Sequence, residues 1–272
     1  MIKFCHISPT KYLKQFTSRN GAHLLLAHLV EEDQQYRDYY ANLKDGKPKI
    51  LDNSAFELFK RGLPMFPSDK LIDLGKAVSA DYLVLSDYPG DPSSKTIEAA
   101  KELIPKFKQA GFLTFFVPQS KIGDEDDYIA GMKWAISNSN IDLIGLSILG
   151  IPNAYGVEKD NKLQRYNSRF HMLRQIEPFL DPLLDVDRFH CLGMVDGPNE
   201  ISLMKPFHKY IYSWDSSSAV WAGIHGITYD NSPTGLMEGK FETEVDFGLQ
   251  DDLTALQVDL VHHNIEHIQG QL

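Results

Sequence analysis

The stretch YLVLSDYPGDPSSKTIEAAKELIPKFKQAGFLTFFV, residues 82–117, decides the fold. It opens with an apolar, β-rich run from Tyr82 to Ser86 and closes with another from Leu113 to Val117. Between them Ser93 or Ser94 opens a helical pattern in which Ile97, Ala100, Leu103, Ile104 and Phe107 recur at the 3.6-residue period until Gly111 stops it. Strand, helix and strand at this spacing form a βαβ unit, whose two strands run parallel. The runs are continuous rather than alternating in polarity, as expected for strands covered on both faces.

The same alternation extends in both directions. Further strands are predicted at Leu24 to Val30, Lys49 to Asp52, Leu143 to Ile148, Phe189 to Met194 and Tyr210 to Trp214, with an eighth within Lys240 to Phe247. Asp124 to Asp127 place negative charge at the start of a helix carrying Ile129, Met132, Trp134 and Ile136, where the helix dipole favours it. Seven strands and an eighth, repeating about every 30 residues, predict a (β/α)8 barrel, whose usual length is about 250 residues. The chain has 272 residues and shows no linker, so 1–272 reads as a single barrel domain. A doubly wound open sheet is the alternative, but no G-x-G-x-x-G follows the first strand and there is no P-loop.

Composition narrows the class. Two cysteines, Cys5 and Cys191, cannot build a disulfide scaffold or a Cys-rich zinc site. No apolar stretch reaches the roughly 18–20 residues of a membrane span, and Met1 to His6 lack a signal-peptide layout, so the cytoplasm is the expected compartment, without a membrane partner.

In a barrel, chemistry gathers at the C-terminal ends of the strands. The polar residues there are Asp52 with Asn53 and Ser54, then Asp87, Gln119, Gly145 to Ser147, Gly193 with Met194, and Asp215. A single Asp at such a place is an ordinary turn or helix cap. Three on equivalent strand ends suit either divalent metal binding or displacement at a sugar carbon. None of these six ends carries a histidine, which weighs against a metal-dependent hydrolase using Asp52, Asp87 and Asp215.

These segments resemble motifs of one family. Asp52, Asn53, Ser54, Ala55, Phe56, Glu57 resembles the Asp-Ser-Gly-Gly-Phe-Gln of the tRNA-guanine transglycosylases, and Val117, Pro118, Gln119, Ser120 their Val-Gln-Gly. Ile144, Gly145, Leu146, Ser147 is similar to their Gly-Gly-Leu-Ala. Leu192, Gly193, Met194, Val195 with Gly197 and Pro198 is similar to Met-Gly-Val-Gly-x-Pro, and Trp214, Asp215, Ser216 to the segment bearing the nucleophilic Asp. Order and approximate spacing agree over residues 50–220. The glycine pair is replaced by Ser54 and Ala55, the Gln by Glu57, and the Cys-x-Cys-x2-Cys zinc motif is absent. This compact pattern without a zinc subdomain is most similar to the phage-type members that exchange guanine in DNA for a 7-deazaguanine.

The resemblance implies a mechanism. Asp215 would attack the sugar and hold it as a covalent glycosyl intermediate, and Asp52 would protonate the leaving guanine and deprotonate the incoming base. Asp87 would accept the base's N1–H and exocyclic amine, Gln119 with the Gly145 and Leu146 backbone would read its carbonyl edge, and Phe56 and Met194 would sandwich the ring. The expected partners are DNA, with tRNA as the alternative, and a free preQ0-type base; no cofactor is required. Tyr88, Trp214 and Trp221 are further candidates for stacking on a flipped base.

A net charge of −10 opposes a polyanion partner, yet it is uneven. Residues 158–174 carry five basic residues against two acidic ones, so Lys159, Lys162, Arg165 and Arg169 are the expected phosphate-tracking surface. His225 is a candidate to orient a carboxylate or meet phosphate. His263 and His267 stand at i and i+4 beside Glu266, a metal-ligand spacing, but with no third ligand in view the expectation is no metal and a partly solvated terminal helix.

Overall fold

The computed structural model describes residues 1–272 except 182, 184, 196 and 231–245. Eight strands form one parallel sheet: β1 (Lys3–His6), β2 (His23–Leu26), β3 (Lys49–Asp52), β4 (Tyr82–Val84), β5 (Leu113–Phe116), β6 (Leu143–Ser147), β7 (Phe189–Leu192) and β8 (Ile211–Ser216). Their order is β1-β8-β7-β6-β5-β4-β3-β2. The two ends of that order meet at a seam. The Gly21 N–H donates to the Phe4 carbonyl at 2.9 Å. A Cβ on Gly21 would stand 2.9 Å from Lys3 Cα, so the seam needs a glycine there. Helices separate successive strands, giving the expected (β/α)8 barrel.

Pleating sorts the strand residues onto two faces. Cys5, Leu24, Leu26, Ile50, Val84, Phe115, Val117 and Leu143 fill the barrel interior as one cluster, whereas Phe4, Leu25, Leu51, Leu83, Phe116 and Ile144 pack outward with the helices. Gly145 faces the interior. A Cβ there would lie 2.9 Å from the Phe115 ring and from Val117, so the large Phe115 is accommodated by a missing side chain on β6.

Three expectations are corrected. The first strand is Lys3–His6, which mixes lysine, cysteine and histidine and so lacks the apolar continuity of the others. The run from Leu24 ends as a strand at Leu26, and Val30 belongs to the helix Ala27–Glu32. Among the described residues the last strand is Ile211–Ser216; within Lys240 to Phe247, residues 240–245 lie outside the described residues, and Phe247 packs half-buried against the interior cluster. Helix Ser93–Gln109 starts at Ser93 as expected, and Asp127 of the next helix accepts both the Ser93 N–H (2.7 Å) and its hydroxyl (2.5 Å).

Candidate active site

Four of the residues expected at the strand ends come together. At the end of β3 the chain turns through Ser54, which has φ 58 in the left-handed region where the resembling motif has glycine. Side chains hold this turn: Asp52 Oδ1 accepts the Ser54 N–H at 2.7 Å, Asn53 Oδ1 accepts the Ala55 N–H at 2.8 Å, and the Ser54 hydroxyl meets His28 Nδ1 at 2.9 Å. Asn53 Nδ2 then donates to the Leu85 carbonyl (2.7 Å) and to Asp87 Oδ1 (2.8 Å). Gln119 Nε2, from beyond β5, donates to Asp87 Oδ2 at 2.5 Å. Asp87 is 4% exposed and accepts an amide donor on each oxygen. Burial outweighs both bonds, and its pKa is pushed up to about 6.

Across the mouth, Asp215 near the end of β8 is 5% exposed. Its Oδ1 accepts from His190 Nε2 at 2.9 Å and from the Gly193 N–H at 3.2 Å. The other ring nitrogen, Nδ1, meets the Ser213 hydroxyl at 2.6 Å, so the imidazole is held at both ends. His190, Ser213 and Asp215 share the inward face of β7 and β8. His225, the sequence candidate for orienting a carboxylate, is exposed at the end of helix Ser218–Ile224.

Asp52 is affected by several of these groups. Burial pushes its carboxyl well above the usual range, and the negative charges of Glu57, Asp87 and Asp215 push it further, against the lowering effect of the Ser54 N–H. Glu57, on helix Ala55–Lys60, is itself raised by burial, with Asp215 contributing. Glu57 is thus a fourth carboxyl in the mouth, at the position where the resembling motif has an amide.

The other expected residues make contacts of a different kind. Gly145 and Leu146 stand inside the β6–β7 ladder, paired with His190 and Cys191, two and one residues before the strand end at Ser147. Phe56 is 39% exposed with the Lys60 ammonium 4.8 Å from its ring centroid, while Met194 is only 6% exposed and receives the Ser218 hydroxyl on its sulfur. Trp214 is fully buried and faces away from the mouth, with Nε1 donating to the Gly193 carbonyl at 2.8 Å, so it has no face to offer a base. Tyr88 and Trp221 are half-buried.

Arg169 is a correction. Lys159 and Lys162 are exposed and Arg165 is half-buried, but Arg169 is 2% exposed. Its guanidinium donates to the Leu192 and Gly193 carbonyls (2.9 and 3.2 Å), pairs with buried Glu200 at 3.3 Å and lies 5.2 Å from the Trp214 ring centroid. Glu200 in turn accepts the Val195 N–H at 2.7 Å. Arg169 therefore braces the loop after β7, which supplies the Gly193 donor to Asp215, and cannot serve as a phosphate contact.

The C-terminal mouth of the barrel is lined by four carboxyls, of which Asp87 and Asp215 are held by dedicated donors and Asp52, Glu57 and Asp87 are raised by burial, an arrangement chemically suited to acid–base or nucleophilic work. The chain matches no protein-family model and no curated protein.

Proposed function

We propose that the protein is a base-exchange transglycosylase that replaces guanine in DNA with a 7-deazaguanine of the preQ0 type. The observation that carries this reading is the unequal treatment of Asp215 and Asp52. Asp215 is fixed by an imidazole N–H and a backbone N–H, which suits a nucleophile that must approach C1′ in one orientation. Asp52 is pushed toward the protonated form by its surroundings, which suits an acid that delivers a proton to the departing base and takes one back from its replacement. Breaking the C1′–N bond passes the electron pair to the guanine as Asp52 protonates it. The new ester bond from Asp215 preserves the strand until the deazapurine attacks.

The polymer is assigned from the resemblance to the compact members of the superfamily. Lys159 and Lys162 favour a polyanion of either kind, because the connection after β6 leaves the barrel at the same end as the carboxyls. The metal-dependent hydrolase is less well supported: among the described residues, the group of His, Cys, Asp or Glu donors close enough to share an ion is Asp230, His263 and His267, not the mouth carboxyls. Incubation with preQ0 and either duplex DNA or tRNA, followed by nucleoside mass spectrometry, tests the proposal. Deazaguanine in DNA is expected; incorporation into tRNA alone overturns the choice of polymer, and incorporation into neither overturns the activity.

A further inference from the structure

We propose that Asp230, His263 and His267 form a binding site for a divalent transition-metal ion of the Zn2+ type. His263 and His267 are one turn apart on helix Ala255–Gln269 and present Nε2 and Nδ1 to the same carboxylate. Asp230 Oδ2 lies 2.7 Å from His263 Nε2, and Oδ1 lies 3.7 Å from His267 Nδ1. All three donor atoms fall within 4.8 Å of one another. Ligands 2.0–2.1 Å from a tetrahedral ion stand about 3.3 Å apart, so small side-chain adjustments from these positions bring one atom of each residue onto an ion. Glu266, the neighbouring acid, instead pairs with Arg19 at 2.5 Å, so the third ligand comes from a different part of the chain.

The ligands are positioned before any ion arrives. Asn264, fully buried between the two histidines in sequence, accepts the Tyr229 N–H on Oδ1 (3.0 Å) and donates to the Ile227 carbonyl (2.8 Å). This ties the residue before Asp230 to the helix that carries both imidazoles. The Tyr229 ring packs edge-on to His267, with centroids 6.2 Å apart. The other ring nitrogen of His267 meets the Gln271 side-chain amide at 3.1 Å, and the Ser202 hydroxyl bonds the far side of that amide at 2.8 Å. With a metal on Nδ1, Nε2 carries the proton; Gln271 then turns its oxygen to accept it and its nitrogen to Ser202, which can also accept. Such an outer partner fixes the tautomer of a ligating histidine. Two imidazoles and one carboxylate select Zn2+ or its neighbours over Mg2+ and Ca2+, which prefer oxygen ligands throughout. The fourth position is open to solvent, since Asp230 is 52% exposed and His263 44% exposed at the side chain.

The test uses the untagged full chain stripped of metal. Wild type should bind one equivalent of Zn2+ by calorimetry, show the visible absorption of tetrahedral Co2+, and gain thermal stability with added Zn2+. The double variant His263→Ala/His267→Ala should lose all three responses while keeping the wild-type far-ultraviolet spectrum, and Asp230→Asn should weaken Zn2+ binding by about tenfold or more. Failure of wild type to take up Zn2+ or Co2+, or uptake of equal stoichiometry and affinity by the double variant, overturns the site. None of these readouts depends on base exchange, so the metal site and the proposed activity stand or fall separately.

Discussion

The two sides of the mouth carry the same charged group in opposite surroundings. On the β3–β5 side, Asp52 and Asp87 meet amides and other carboxyls, and both are pushed toward the protonated form. On the β7–β8 side, Asp215 meets an imidazole N–H and a backbone N–H from a loop braced by the buried Arg169–Glu200 pair. In the proposed mechanism, it is these partners that divide one residue type between proton carrier and nucleophile.

The sharpest way to break the comparison is Asp215→Ala. Base exchange and trapping of a covalent DNA adduct should both fall to background with the circular-dichroism spectrum unchanged; wild-type turnover would remove the β8 side from the mechanism. Asp52→Asn comes next, with turnover expected to drop by about 10²–10⁴-fold while the free base still binds. An unaltered rate there would leave the β3 side without a proton carrier. His190→Ala removes a hydrogen bond to a charged group, worth about 1.5–3 kcal/mol, and kcat should fall by about 10–100-fold with little change in KM for the base. A rise in KM alone would make His190 a binding residue instead of the one that orients Asp215.

Glu57→Gln sharpens the contrast through pH. Glu57's negative charge raises the Asp52 pKa, and in the proposed mechanism the protonated form of Asp52 is the acid, so activity is expected below that pKa and lost as pH rises through it. Removing the charge lowers the Asp52 pKa and moves the alkaline limb of the kcat profile to lower pH; an unmoved limb disconnects Asp52 from it. The smallest effect is expected outside the mouth. Reversing charge at Lys159 and Lys162 should weaken DNA binding modestly and flatten its salt dependence, with kcat at saturating DNA unchanged. Unchanged binding would place the footprint elsewhere.

Much of this architecture was legible in the sequence, for physical reasons. Doubly covered parallel strands such as Leu143 to Ser147 are apolar throughout, and a polar residue therefore marks where each leaves the barrel. This is why Asp52, Asp87, Gln119 and Asp215 could be read as a set. β1 was not legible because Lys3, Cys5 and His6 break the apolar run, and His6 ends that strand on the outer side against Phe4, with ring centroids 4.5 Å apart. Burial keeps His6 neutral, its pka lowered to about 3.

The His190–Asp215 contact depends on how β7 and β8 are aligned, and the register shifts between Phe189 and His190. Parity along the strands was the available signal, since His190 is two residues before Leu192 and Ser213 two before Asp215. Arg169 was legible as charge and illegible as position. Helix Lys162–Ile176 is polar over most of its length, and only packing against Trp214 and Glu200 reveals which of its cations turns inward. The third ligand to His263 and His267 was hidden in the same way, being 33 residues away from His263 in the chain.

The bonds around Asp87 also have a mechanical side. Asn53 reaches it from the end of β3 and Gln119 from beyond β5, so one carboxylate works as a strut joining three strand ends above the last ladder hydrogen bonds. Stiffness in that quarter of the rim resides in side chains. Cutting one amide from the strut would release that strand end while the other amide still ties its own to Asp87.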